Sequence, residues 1–220
     1  MSHWHWRNKG PRVLTKVGYG GWEMRLLVVH CHPVPDSFGA ALCDTVVTAA
    51  RSAGHAVDLL DLYAEGFDPV MSDQERRDYH TAGVNEAPVR DHVARLRACE
   101  GLILTYPTWW MGPPAMLKGW LDRVWLPHVV FTMAKKPADM RPLLTKIRHI
   151  GAVSTLGAPW WYWTFVLGDP GRRVLLRSLR GTCHPRCRTF WLGLHGMDSC
   201  SEADRRRFLE KVARRISRLH

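Results

Sequence analysis

The sequence predicts a single α/β domain over residues 24–220, built on a five-stranded parallel sheet in the order 2-1-3-4-5 with helices on both faces. Three observations predict it. Short apolar runs rich in β-formers alternate with stretches of helical period, and strands separated by helices require crossover connections and hence a parallel sheet. The chain has 220 residues, enough for one sizeable core and too few for two comfortable ones. No G-x-G-x-x-G follows the first strand, which leaves the shorter of the two common doubly wound orders.

The elements follow in order. Arg25–His30 reads as a buried parallel strand. Ser37 caps a helix to about Ala53, ended by Gly54, and Ala56–Leu62 is the second strand. Ser72–His80 is helical in part, and Pro88–Cys99 is an amphipathic helix with Val89, Val93, Leu96 and Cys99 on one side. Gly101–Tyr106 is the third strand, and Pro113-Pro114 opens a helix to about Trp125, because the missing N–H would be an orphan there anyway. After an irregular connection over 129–145, Ile147–Val153 is the fourth strand and Ser154–Gly168 an aromatic loop. A helix from Asp169 or Pro170 to about Leu179, a fifth strand over Thr189–Leu194 and a terminal helix over Ser201–Leu219 complete the domain.

The net charge of +11 is concentrated at the ends: residues 1–23 carry +3 and residues 201–220 carry +4. The body is mildly basic, which suits an anionic dinucleotide, and no nucleic-acid-binding motif accompanies the charge. The six cysteines are scattered, and Cys183-x3-Cys187 lacks a zinc-site spacing, so reduced thiols in a cytoplasmic protein are expected and no metal site is assigned. No run approaches the ~20 apolar residues of a membrane span. Residues 1–23, rich in Trp, Gly and Arg, read as a disordered extension outside the domain.

Ligands of an open parallel sheet bind beyond the strand carboxyl ends, where strand order reverses. The two loops at that point are chemically unusual. His30-Cys-His-Pro-Val-Pro-Asp-Ser37 runs directly into a helix N-terminus, a ready anion site, with His32 and Ser37 as additional donors. Thr105-Tyr-Pro-Thr-Trp-Trp-Met-Gly-Pro-Pro114 places two tryptophans at a strand end, where they form a wall for a flat ring or pack between loop and helix. Beyond the fourth strand, Ser154, Thr155 and Gly157 offer donors beside Trp160, Trp161, Tyr162 and Trp163, a density of aromatics that marks a planar-ligand cavity, a dimer interface or both.

Three motifs in order, Val28-Val-His-Cys-His-Pro33 with Ser37-Phe38, Tyr106-Pro-Thr-Trp-Trp-Met-Gly-Pro-Pro-Ala115, and Leu117-Lys-Gly-Trp-Leu-Asp-Arg-Val-Trp125, resemble the NAD(P)H:quinone oxidoreductases of flavodoxin-like fold, from Met24 to the C-terminus. The resemblance implies a flavodoxin-like domain, FAD or FMN as cofactor, NAD(P)H as co-substrate, a quinone-like acceptor and a homodimer with shared active sites. It implies that His32, Ser37 and Phe38 hold the flavin phosphates, that Pro107, Thr108, Trp109, Trp110 and Met111 lie against the ring, and that Ser154, Thr155 and Gly157 reach its far edge. The chain departs from the family pattern at Gly39, where Asn is frequent. It departs again where mammalian members carry a Tyr and a His proposed to assist proton movement: Trp161 or Tyr162 falls near the first and Leu167 near the second. Trp161 and Tyr162 are accordingly the candidate catalytic residues. The rival reading, from a different class, is a soluble regulatory flavoprotein that docks on a potassium-efflux antiporter through its basic C-terminal helix; an acidic one-electron flavodoxin carrier fits the +11 charge poorly.

Overall fold

In the computed structural model, which describes residues 23–220, the strands are β1 (Arg25–His30), β2 (Ala56–Asp61), β3 (Gly101–Pro107), β4 (His149–Thr155) and β5 (Arg188–Leu194), all parallel in the order β2-β1-β3-β4-β5. The expected extension over residues 1–23 lies outside the described residues, apart from Glu23.

The central strands are buried on both faces, so alternate residues feed two cores. Leu27 and Val29 of β1 point to a core with α3 (Arg90–Ala98), α4 (Ala115–Val124) and the connection before β4. Leu26 and Val28 point to the other, under α1 (Phe38–Ser52) and α6 (Glu202–Ile216). Helix starts follow local chemistry. Ser37 Oγ accepts from Ala40 N at the head of α1, and Ser201 and Asp204 form a reciprocal capping box at α6. A second capping box, Ser72 with Glu75, starts the short α2 (Asp73–Asp78).

Three expectations are corrected. The helix expected from Pro88 begins as a tight turn, Ala87–Val89, and becomes α-helical only at Arg90. β4 is displaced two residues from the expected Ile147–Val153, because Ile147 closes a turn on Leu144 and the ladder starts where His149 meets Gly101. Ser154 and Thr155 are therefore strand residues paired with Tyr106 and Pro107, not loop residues. The segment after Asp169 is not a uniform helix: α5 (Pro170–Arg173) widens over Val174–Ser178 and tightens over Leu179–Thr182. Among the described residues, no helix is long and apolar enough to cross a membrane.

Candidate active site

The order reversal between β1 and β3 opens a crevice at the strand carboxyl ends, and the β1 loop supplies its first wall. His32 Nδ1 lies 3.1 Å from the N–H of Val34 and 2.9 Å from Ser37 Oγ. The same Nδ1 lies 3.1 Å from Val34 O, so it can accept from the Val34 amide or donate to the Val34 carbonyl, and both ring tautomers satisfy the loop. Burial holds the His32 imidazole below its usual pKa, so the ring is neutral at pH 7. Ser37 is engaged twice, sharing a hydrogen bond with His32 Nδ1 and accepting from Ala40 N. The anion donors of this loop are therefore the first amides of α1, with the His32 ring held beside them by Ser37. Gly39 has a physical reason to be glycine: a Cβ there would come 2.9 Å from His32 Cδ2. The side-chain contact that Asn would offer is exchanged for a close approach of the imidazole to the helix. Phe38, the first residue of α1, is half-buried and packs against the α1–α6 core.

The second wall is the β3 loop. Pro107 ends β3 fully buried, and Thr108 N–H donates to Thr155 O at 2.8 Å. Thr108 Oγ1 meets Ser154 Oγ at 2.8 Å. Ser154 is 0% exposed, so its hydroxyl joins the ends of β3 and β4 behind the wall instead of presenting a donor to the crevice, as does the Thr155 carbonyl. Trp109 to Gly112 form a reversed turn closed by two backbone bonds, 3.0 and 3.1 Å, with Trp110 and Met111 both at positive φ. This turn thrusts Trp110 outward, 98% exposed.

Between this turn and the β4 loop lies a cavity of about 280 Å³ lined by Thr108, Trp110, Met111, Leu156, Gly157, Ala158 and Trp163. It approaches the lower end of ligand-pocket sizes, roughly 300 Å³. A larger cavity, about 350 Å³, lies at the amino ends of β3 and β4, among Cys99, Leu144 and Ile147, at the opposite end of the strands from the crevice. Four of the expected ring-contact residues, Thr108, Trp110, Met111 and Gly157, thus meet in one cavity. Trp109, Trp161 and Tyr162 stand outside its lining, with Trp161 edge-on to Tyr162 at 5.7 Å.

Three cavity-lining positions were missed from sequence. Leu156 and Ala158 line the cavity and are braced from behind by Met197 N and Gly196 N. Trp163, expected at the surface with its neighbours, is 1% exposed and lies parallel to Trp191, ring centres 6.2 Å apart. The wide turn Tyr162–Val166 carries it inward, a local geometry without a periodicity signature. Near these rings Tyr106 Oη, Trp191 Nε1 and His195 Nδ1 are buried without a hydrogen-bond partner. Burial pushes the Tyr106 phenol pKa up and the His195 imidazole pKa down, keeping both neutral. Cys31, just before the crevice, has its thiol pushed up to about 12 by burial and is inert as a nucleophile.

Comparison with known proteins agrees with this geometry. The family profile described as flavodoxin-like fold matches residues 24–215. An NAD(P)H oxidoreductase of Escherichia coli (strain K12) is 35% identical over 102 residues, 46% of this chain and 52% of that protein. NAD(P)H dehydrogenase (quinone) 1 of Rattus norvegicus is 30% identical over 150 residues, 59% of this chain and 55% of that protein. The chain spans about half the length of the curated relatives it matches. Among solved structures, a protein of Streptococcus mutans UA159 superposes with a TM-score of 0.77 at 29% identity, covering 89% of this chain and 100% of that one. An NAD(P)H:quinone oxidoreductase of Methanothermobacter marburgensis, 20% identical with a TM-score of 0.78 over 90% and 100%, shares the fold. With the profile spanning nearly all of the described domain, and the observed strand order the one expected from the sequence, the chain belongs to the flavodoxin-like fold family.

Proposed function

We propose that the chain is a flavin-dependent NAD(P)H oxidoreductase that reduces quinones or related small acceptors by two-electron transfer. One observation carries the reading: an anion-directed helix terminus after β1 and an aromatic-walled cavity between the β3 and β4 loops share the carboxyl end of the sheet. The relatives named NAD(P)H oxidoreductase and NAD(P)H dehydrogenase (quinone) 1 support it.

The residues fit a flavin, either FAD or FMN. The leading amides of α1, with His32 in its Nε2–H tautomer, would hold a phosphate, while Trp110, Met111 and Trp163 would bound the ring. A bound flavin supplies the two-electron chemistry, with NAD(P)H as donor. The chain's own work is to position and to exclude water. Leu156, Ala158 and Met111 present apolar surface inside the cavity, and Gly157 leaves the main chain open to a ring edge. Leu167 carries no proton, and Trp161 and Tyr162 lie outside the cavity lining. We therefore assign them no proton-transfer role at the cavity floor.

The apolar rim extends this reading. Trp110, Trp160, Trp161 and Phe165 are all exposed, Trp160 and Trp161 at 57% and Phe165 at 73%. So dense an exposed aromatic patch marks an interface, and the occupant we assign is a second copy of the chain. Six free thiols suit a reducing, cytoplasmic setting. In the helix of the regulatory reading, Arg206, Arg207 and Arg214 pair with Glu202, Asp204 and Glu210, and no relative supports that reading.

The test is an absorption spectrum of the purified protein, with mass determination of any released flavin, followed by anaerobic NADPH and then a quinone. Yellow colour that bleaches with NADPH and returns on quinone addition is expected. A protein that neither retains nor binds FAD or FMN would overturn the reading.

A further inference from the structure

The chain Leu167-Gly168-Asp169-Pro170 adopts a backbone that its sequence disfavours. Gly168 and Asp169 both lie in the left-handed region, at φ 69° and 60°. Glycine suits such a position and aspartate tolerates it better than most residues with a Cβ, but a residue preceding proline is driven sterically toward extended conformations. Asp169 keeps the left-handed conformation directly before Pro170. It also occupies the N-cap of α5, the position where an aspartate ordinarily binds a helix amide, yet its side chain makes no capping bond.

The carboxylate is directed inward instead. Oδ1 accepts from the indole N–H of Trp163, and Oδ2 accepts from Arg172 at 3.1 Å, with the carboxylate side chain only 15% exposed. The Asp169 backbone N–H donates to Trp163 O at 3.0 Å. One residue therefore holds Trp163 by both backbone and side chain. Trp163 in turn contributes to the cavity wall, stacks within 7° of parallel on Trp191, and is flanked by Gly171, where a Cβ would stand 3.5 Å from the indole.

We propose that Asp169 is a positioning residue that clamps the Trp163 indole as a fixed wall for the planar ring of the cofactor. It acts through Trp163 and lines no part of the cavity itself. A carboxylate suits the task because it offers two acceptor oxygens to two donors, and charge-assisted hydrogen bonds are shorter and stronger than neutral ones. Asparagine offers one acceptor oxygen, enough for Trp163 or Arg172 but not both; glycine would relax the backbone and lose the clamp. The strained backbone persists because it turns the side chain back onto the indole. The inference rests on reading this cavity as the flavin-ring site.

The test compares wild type with Asp169→Asn, Asp169→Ala, Trp163→Phe and the double variant Asp169→Ala/Trp163→Phe. FAD affinity is read by fluorescence quenching. Solvent exchange of the Trp163 indole N–H, identified by its loss in Trp163→Phe, is read by NMR without flavin. Expected are a protected indole proton in wild type and Asp169→Asn, an unprotected one in Asp169→Ala, and FAD binding weakened roughly tenfold in Asp169→Ala, the scale of one lost hydrogen bond to a charged group. The double variant should bind no more weakly than Asp169→Ala, since both changes break one coupled unit. Additive losses in the double variant, or a protected indole with wild-type affinity in Asp169→Ala, would overturn the proposal. Should Asp169→Ala not fold, Trp163→Phe carries the test: about the same loss of affinity supports the clamp, and wild-type affinity overturns it. If wild type itself binds neither FAD nor FMN, the reading of the cavity has failed, and the clamp is then judged on indole exchange alone.

Discussion

Replacing Thr108 by Val should destabilise the protein more than replacing Ser154 by Ala, although both changes break the same hydrogen bond. The two hydroxyls meet at 2.8 Å, but their surroundings differ. Ser154 is 0% exposed, and its only other acceptor is Thr155 O at a long 3.4 Å. Thr108 is half-buried at the cavity rim. In Thr108→Val the shape is kept but a buried hydroxyl is stranded, which costs about 1–3 kcal/mol. In Ser154→Ala the buried group is gone and the Thr108 hydroxyl turns to solvent, so only the net bond is lost, about 0.5–1.5 kcal/mol. The difference, about 1 kcal/mol, corresponds to roughly 2–4 °C in Tm for a domain of this size. The double variant removes both partners and should recover part of the Thr108→Val loss. Urea unfolding with unchanged m-values measures all three. A Ser154→Ala protein as destabilised as Thr108→Val, or additive losses in the double variant, would refute the reasoning.

Other consequences follow from the same structure. His32→Ala removes the imidazole beside the α1 terminus and should weaken FAD binding about 10- to 100-fold, the range for one hydrogen bond to a charged group; unchanged affinity in a flavin titration would remove His32 from the phosphate site. Burial lowers the pKa of His30, His32, His55, His92, His149 and His195 below the ordinary imidazole value. A depressed folded pKa means the unfolded chain binds protons first, so this stability is present above about pH 6.5 and lost as pH falls through the folded values. Urea midpoints should therefore drop between pH 7 and pH 5, with a limiting slope of about 1.4 kcal/mol per pH unit for each histidine; a flat profile would contradict the burial of these rings. Trp110→Ala should change stability by less than about 0.5 kcal/mol, because the side chain is 98% exposed, while shifting the proposed dimer toward monomer in sedimentation. A dimer that persists unchanged would exclude this patch as the contact.

The sequence by itself determined the strand and helix succession, because buried parallel strands such as Leu26–Val29 and Leu102–Leu104 are continuous apolar runs that no amphipathic helix imitates. It determined the head of α1, since Ser37 caps through a bond three residues long. The rule that ligands lie where strand order reverses pointed to the loop of Thr108 and Trp110, and the family resemblance added Met111 and Gly157, which meet them in one cavity. What the tertiary structure decided is where each polar atom is directed. Ser154 and Gly157 are both small residues beyond an apolar run, yet register with β3 buries the first behind Thr108 and leaves the second in the cavity wall. Among four consecutive aromatics, Trp160 to Trp163, only Trp163 is driven inside, because a wide turn and the Asp169 carboxylate draw it onto Trp191. Register, turn width and long-range acceptors depend on partners distant in sequence, and local patterns carry no record of them.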